Sequence, residues 1–180
     1  GKAIAAVDDL KGLKLRAPSR PVGDALARFG AAVVFMPVPQ APEALSKRVI
    51  DGAVVPWEVT VPLRLYELTD HHVEIAGDRG LYTSVFLYAM NKARYDGLPA
   101  DLRRVIDANA GAALAARAGA AWEAAEKPGR DAAIARGISV NQATMARITS
   151  STIQNVLLDD EPVPDEVVGG SVVAVGPSAL

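Results

Sequence analysis

Two places in this sequence carry side chains suited to chemistry, and both are the ends of short apolar runs. The run Leu13-Lys14-Leu15-Arg16 alternates apolar and basic residues and then breaks at Ala17-Pro18-Ser19-Arg20-Pro21, where proline removes a ladder donor and fixes φ. Arg16 therefore stands at a strand's carboxyl end. In open α/β sheets ligands bind along that edge, and a guanidinium there offers a planar fork that grips a carboxylate through two charge-assisted hydrogen bonds. A solvated surface arginine is the plainer alternative. The second place is Val55-Pro56-Trp57, which ends the run that starts at Ile50. Its indole is either a flat apolar surface for a ligand or a packing residue between Pro56 and the helix expected to begin near Glu58. His71-His72 invites a metal, but sequence neighbours point apart and no metal is expected. No Gly-rich phosphate loop, no Gly-x-Ser-x-Gly elbow, no zinc spacing and no local acid and base pair occur, so the residues favour binding over catalysis and imply no cofactor.

These side chains need a frame. Asp24 to Phe29 reads as a short helix stopped by Gly30, Ala32 to Met36 as a buried strand, and Pro42 to Val49 as a second helix. With the third strand, Ile50 to Val55, this is the alternation of βαβ units on a parallel sheet. Val61 to Leu68 has the spacing of a short amphipathic helix, with Pro62 in its first turn. Val73-Glu74-Ile75 and Leu81 to Met90 read as strands; the second places Tyr82, Phe86 and Tyr88 on one face, the mark of core. Pro99 opens a helix with Leu102, Val105, Ile106 and Ala113 in one stripe, continued by an alanine-rich run to Glu126. Pro128-Gly129 is expected to bend or break it before Asp131 to Arg136 resumes. Ser139-Val140 reads as a strand and Ala143 to Leu158 as a helix. Val167 to Val175 has strong β character compatible with an edge or swapped strand, or with an aberrant carboxyl terminus.

Composition narrows the class. The chain has 180 residues, 50% hydrophobic and 22% charged, enough for one substantial core. A net charge of −2 with interspersed signs provides no basic face for phosphates, which argues against nucleic acid. Without cysteine there is no disulfide framework and no thiolate site, and the compartment is left undecided. Gly1-Lys2-Ala3-Ile4 lacks the apolar stretch of a signal peptide.

The order of short motifs resembles a known family. Asp9-Leu10-Lys11-Gly12-Leu13-Lys14-Leu15-Arg16, then Phe29-Gly30, Met36-Pro37, Glu43-Ala44-Leu45 and Val49-Ile50-Asp51-Gly52 follow one another as in the DctP-type solute-binding proteins of tripartite ATP-independent periplasmic (TRAP) transporters. Met90-Asn91-Lys92, Tyr95-Asp96, Leu98-Pro99 and Asp101-Leu102-Arg103 resemble the same family in the same order. The likeness runs over residues 1–137 and is lost afterwards. It implies an α/β second lobe of a periplasmic-binding-protein-like fold, a mostly parallel sheet flanked by helices. Most of the first lobe and the leader would lie upstream, and residues 138–180 would add a strand, a helix and an unmatched tail. It also implies capture of an organic acid between two lobes and delivery to membrane permease subunits in the periplasm.

Residue by residue, the resemblance implies that Arg16 fixes the carboxylate, that Ser19 contacts ligand, and that Val38 stands where many members carry a pocket phenylalanine. Tyr82, Thr83 and Ser84 are further pocket candidates. Where relatives read Asp-Gly-Gln-Glu-Asn-Pro, this chain reads Asp51-Gly52-Ala53-Val54-Val55-Pro56, so an amide contact is lost at Val55 and Trp57 follows. With Pro56 and Trp57 these residues suggest a monocarboxylate with an aromatic or aliphatic tail, ahead of dicarboxylates and sugar acids. A homodimer through swapped elements is compatible with the tail. The alternative from another class is a cytoplasmic ligand-sensing domain of a transcription regulator, which has a similar two-lobed architecture.

Overall fold

The computed structural model describes residues 3–75, 81–82, 84, 86–143 and 171–175. Its centre is a six-stranded sheet: β1 (Lys14–Ala17), β2 (Ala32–Phe35), β3 (Gly52–Pro56), β4 (His71–Ile75), β5 (Ser139–Ala143) and β6 (Ser171–Val175), in the spatial order β2-β1-β3-β6-β4-β5. β1 pairs parallel with β2 and β3, and β4 with β5, while β6 runs antiparallel to both β3 and β4. The expected α/β class with a mostly parallel sheet is what the chain adopts. β6 lies inside the sheet, not at an edge, because the ladder positions of β3 and β4 that face each other are both open to it.

Strand alternation sorts the apolar residues into two cores. Leu15, Ala17, Val54 and Val73 pack on one side with Ile4, Leu10 and the helix α1 (Arg20–Arg28) through Val22 and Leu26. Ala53 and Val55 pack on the other with α2 (Ala41–Ser46) through Ala41, Ala44 and Leu45, and with Trp57, Leu65, Ala133 and Ile138. α1 begins four residues before the expected start at Asp24, since Ser19 takes the extended N-cap conformation and Pro21 is tolerated in the first turn. Gly30 ends this unit with φ of +84°, a value suited to glycine.

Three expectations are corrected. Val61 to Leu68 is not a helix but a series of turns with one 3-10 turn, Leu65–Glu67, because Arg64 is left-handed at φ 51°. The described residues of 81–90 form no strand: none of the described strands pairs with them, Leu81 is buried in the first core with Tyr82 packed against it, and Phe86 and Tyr88, expected on the face of Tyr82, are exposed. Finally, Pro128-Gly129 does not interrupt the long helix. After α3 (Lys92–Asp96) and α4 (Ala100–Ala108), α5 runs unbroken over Gly111–Ala135. Tertiary contacts offset the proline: Arg130 Nε and Nη2 bond Glu74 of β4 at 2.8 and 3.4 Å, and Gly129 lies against Trp57 and Thr60. The helix expected over Ala143 to Leu158 falls outside the described residues from 144 onward.

Candidate functional site

Parallel β1, β2 and β3 share one carboxyl edge, and three segments of chain leave the sheet there. The register pairs Arg16 with Val34 and Ala53, so its side chain starts on the α2 side of the sheet and reaches the edge. Its Nε donates to the Met36 carbonyl at 3.1 Å and its Nη1 to the Val54 carbonyl at 2.9 Å. Two backbone anchors on two strands fix the plane of the guanidinium. Only 6% of the residue is exposed, yet among the described residues no carboxylate pairs with it and Nη2 has no acceptor. Burial lowers its pKa below the ordinary arginine value, and the nearby Tyr82 partly opposes that shift. A buried cation bonded only to neutral carbonyls is chemically suited to receive an anion, since an unpaired buried charge is costly and a charge-assisted bond to a carboxylate relieves it.

Tyr82 lies within electrostatic range of Arg16. Burial pushes its phenol up to about 12, while the nearby Ser84 hydroxyl and the Arg16 charge act the other way and Glu58 adds to the rise. The phenol therefore stays protonated and can donate. Ser84 is exposed, and Thr83 lies outside the described residues. Ser19 is exposed at the N-cap of α1, and its hydroxyl makes no capping bond, so the helix leaves it available to a ligand. Val38, half-buried just beyond β2, packs against the second core with Met36. Val55 is fully buried in that core, and Pro56 ends β3 half-buried.

Trp57 is held from several sides. It is 3% exposed, its Nε1 donates to Glu74 Oε1 at 3.1 Å, and its ring lies 5.1 Å from that of His72 at 53°. Thr60 Oγ1 caps its carbonyl at 2.7 Å, and a Cβ at Gly129 would overlap the same carbonyl. Of the two roles open to Trp57 in the sequence, these contacts serve packing: the residue braces the end of β3 from below.

Sequence reasoning missed Glu58. It follows Trp57 in the 3-10 turn Trp57–Val59, and its Oε2 is buried without a hydrogen-bond donor among the described residues. The available signal was a charged residue within one turn of an expected strand end. His72, fully buried, uses the other side of the site's foundation. Thr69 donates its hydroxyl to the Leu65 carbonyl at 2.8 Å, so the contact of 2.8 Å between Thr69 Oγ1 and His72 Nε2 requires the histidine to carry its proton on Nε2. Nδ1 is then a lone pair with no partner among the described residues, and burial lowers the pKa to about 4.

Known proteins resemble the chain over most of its length. The family described as bacterial extracellular solute-binding protein, family 7 (DctP), matches residues 1–155, past the limit of residue 137 set by the motifs. A TRAP solute binding protein from a marine metagenome, specific for aromatic acid ligands, is 43% identical with a TM-score of 0.77 in its complex with metahydroxyphenylacetate, covering 87% of this chain and 48% of that one. A TRAP solute binding protein from Rhodoferax ferrireducens T118, with copurified benzoate, is 40% identical with a TM-score of 0.78, covering 86% of this chain and 48% of that one. A curated solute-binding protein of Albidiferax ferrireducens is 32% identical over 107 residues, 59% of this chain and 31% of that protein. The chain spans about half the length of these solved relatives.

Proposed function

The chain belongs to the bacterial extracellular solute-binding proteins of family 7, the DctP family, and from that premise we propose that it is the second lobe of a periplasmic binding protein that captures an aromatic monocarboxylate for TRAP permease subunits. One observation carries the reading: Arg16, buried at the sheet's carboxyl edge, is oriented by two carbonyls and has no carboxylate partner among the described residues. The ligand's carboxylate completes it. Tyr82 and the uncapping hydroxyl of Ser19 add donors, and Val38 with Pro56 supplies apolar wall. Val55, in place of an amide, removes a partner for a second polar group and turns the preference away from dicarboxylates and sugar acids. Trp57 acts beneath this wall, keeping Pro56 and the following turn in place.

The relatives at 43% and 40% identity, solved with metahydroxyphenylacetate and benzoate, support the aromatic tail. Neither they nor the family match supports the alternative of a regulator's sensing domain. β6 could equally be supplied by a second copy, so a homodimer by strand exchange belongs to the same reading, and a monomer mass in light scattering would remove it.

Titration of the full-length protein with benzoate tests the proposal. Arg16→Ala should weaken binding by about 2–5 kcal/mol, the cost of truncating one partner of a buried charge pair. Arg16→Lys should also bind poorly, because an ammonium cannot reproduce the fork held by Met36 and Val54. Affinity unaffected by both substitutions would return Arg16 to a structural role. Thermal stabilisation by succinate or a sugar acid, with none by aryl acids, would refute the aromatic preference.

A further inference from the structure

We infer that Glu74 is a positioning residue for the acid site: it ties the turn after β3 to α5 through Trp57 and Arg130, and this tie sets the affinity for a carboxylate at Arg16 without touching the ligand. The inference rests on the aromatic-acid reading and adds to it a residue from outside the carboxyl edge.

Glu74 lies on β4, which β6 separates from β3 in the sheet. Its carboxylate bridges that gap. Oε1 accepts from Trp57 Nε1 at 3.1 Å and from Arg130 Nε at 2.8 Å, and Oε2 accepts from Arg130 Nη2 at 3.4 Å, so donors from two elements converge on one group. His72, two residues earlier on β4 and therefore on the same face, lies against the indole with ring centroids 5.1 Å apart. α5 also meets the turn directly, since Gly129 approaches the Trp57 carbonyl so closely that a Cβ has no room.

The end of β3 needs such support because its ladder to β1 is short. Among the described residues that register stops at the pair Arg16 and Ala53, while Val54, Val55 and Pro56 pair with β6 alone. Arg16 takes the Val54 carbonyl as one of its two anchors, so the plane of the guanidinium follows the strand end that Trp57 fixes. A carboxylate gripped by a planar fork is sensitive to that plane, and such groups rely on partners that lock them before the ligand arrives. The value of the tie is geometric. The Arg130 and Glu74 side chains are 44% and 18% exposed, and a pair that meets solvent adds little to stability while its fork fixes direction.

Benzoate titrations of the full-length protein, at a temperature where circular dichroism shows each variant fully folded, separate positioning from stability. Glu74→Ala should weaken binding about threefold or more. Glu74→Gln, of the same size and with one acceptor oxygen left for the indole, should lie between Glu74→Ala and the wild type, and it carries the test if Glu74→Ala does not fold. Trp57→Phe keeps a ring in the core but removes the N–H, so in that background Glu74→Ala or Glu74→Gln should cost less than in the wild type. Glu67→Gln is the control: Glu67 Oε1 holds Arg136 Nη2 at the end of α5 at 3.0 Å and makes no bond to Trp57, so its loss should change affinity by no more than about twofold. Affinity unchanged by both Glu74 substitutions, an equal loss in Glu67→Gln, or losses that simply add to that of Trp57→Phe would overturn the role of Glu74 while leaving the aromatic-acid reading intact. A wild type that does not bind benzoate would overturn both.

Discussion

The sheet with its carboxyl edge and the helical arm of α3, α4 and the first turns of α5 are built on opposite terms. Around the sheet, β1 to β5 each contribute to one or both of the two cores, and even the charged Arg16 and the imidazole of His72 are enclosed. In the arm neither α3 nor α4 has a buried residue, and α5 buries only Gly129 and Ala133 near its end. Leu102, Val105 and Trp122 stay exposed, with the ring of Phe86 stacked on Trp122 at 4.7 Å. The same apolar residue types thus do two different things. Near the sheet they hold the geometry of the candidate site; along the arm they hold almost nothing among the described residues, so stability and the precision of that site should both answer to the sheet region.

The sharpest way to break that contrast is to remove one tryptophan from each region. Trp57→Ala should cost about 3–5 kcal/mol, since it opens a cavity in the second core and leaves Glu74 without the indole donor. Trp122→Ala should cost about 1 kcal/mol, the worth of a partly exposed ring pair. Urea unfolding of both variants measures this, and equal losses would mean that the arm is packed as firmly as the core.

Glycines on α5 repeat the experiment on a single helix. A Cβ at Gly129 would collide with the Trp57 carbonyl and approach the Thr60 hydroxyl to 2.7 Å, and the backbone atom cannot rotate away. Gly129→Ala should therefore cost about 3 kcal/mol, the upper end for overpacking. Gly119 has no atom within 4 Å of such a Cβ, and Gly119→Ala should stabilise by up to about 1 kcal/mol through helix propensity. Opposite signs in thermal melts are the expected result.

How much of this is legible in the residues alone depends on the range of the forces. The strand and helix order from Lys14 to Pro56 and the placement of Arg16 at a strand end rest on alternation, proline and glycine within a few residues, and both can be read locally. The features that escape depend on contacts distant in sequence. The long α5 survives Pro128 because Glu74, 56 positions away from Arg130, ties it down. The segment 81–90 has strand-like spacing, but a strand also needs a neighbour, and no pattern inside the segment reports its absence. Glu58 escapes for a similar reason: a charged residue in a turn looks solvated until the fold shows its oxygen enclosed.

Acid offers a perturbation confined to the enclosed side of the comparison. His72 has a folded pKa of about 4 against an ordinary 6.5, so the folded state favours the neutral ring. The unfolded chain binds the extra proton first. Stability from this group is complete above pH 6.5 and is lost as pH falls from 6.5 toward 4, with about 2 kcal/mol gone by pH 5 at 1.36 kcal/mol per pH unit. Unfolding midpoints at pH 7 and 5 should show the loss, and His72→Gln, whose amide can still meet Thr69, should flatten the slope. An unchanged slope would place the titration elsewhere.

The smallest effect belongs to the arm's approach. Phe86, Leu87 and Tyr88 are 66%, 90% and 96% exposed in an extended segment without a described strand beside it. A side chain that is already in water in the folded state loses nothing further on unfolding, so Tyr88→Ser should change stability by no more than about 0.5 kcal/mol. The substitution discriminates because of the residue chosen: tyrosine is large, and if it were covered in solution its truncation would cost several times as much. Chemical denaturation of Tyr88→Ser beside Trp57→Ala therefore measures the two ends of the contrast directly. A loss above about 1 kcal/mol for Tyr88→Ser would mean that this apolar segment packs on something when the protein folds, and the division between an enclosed sheet and an open arm would have to be redrawn.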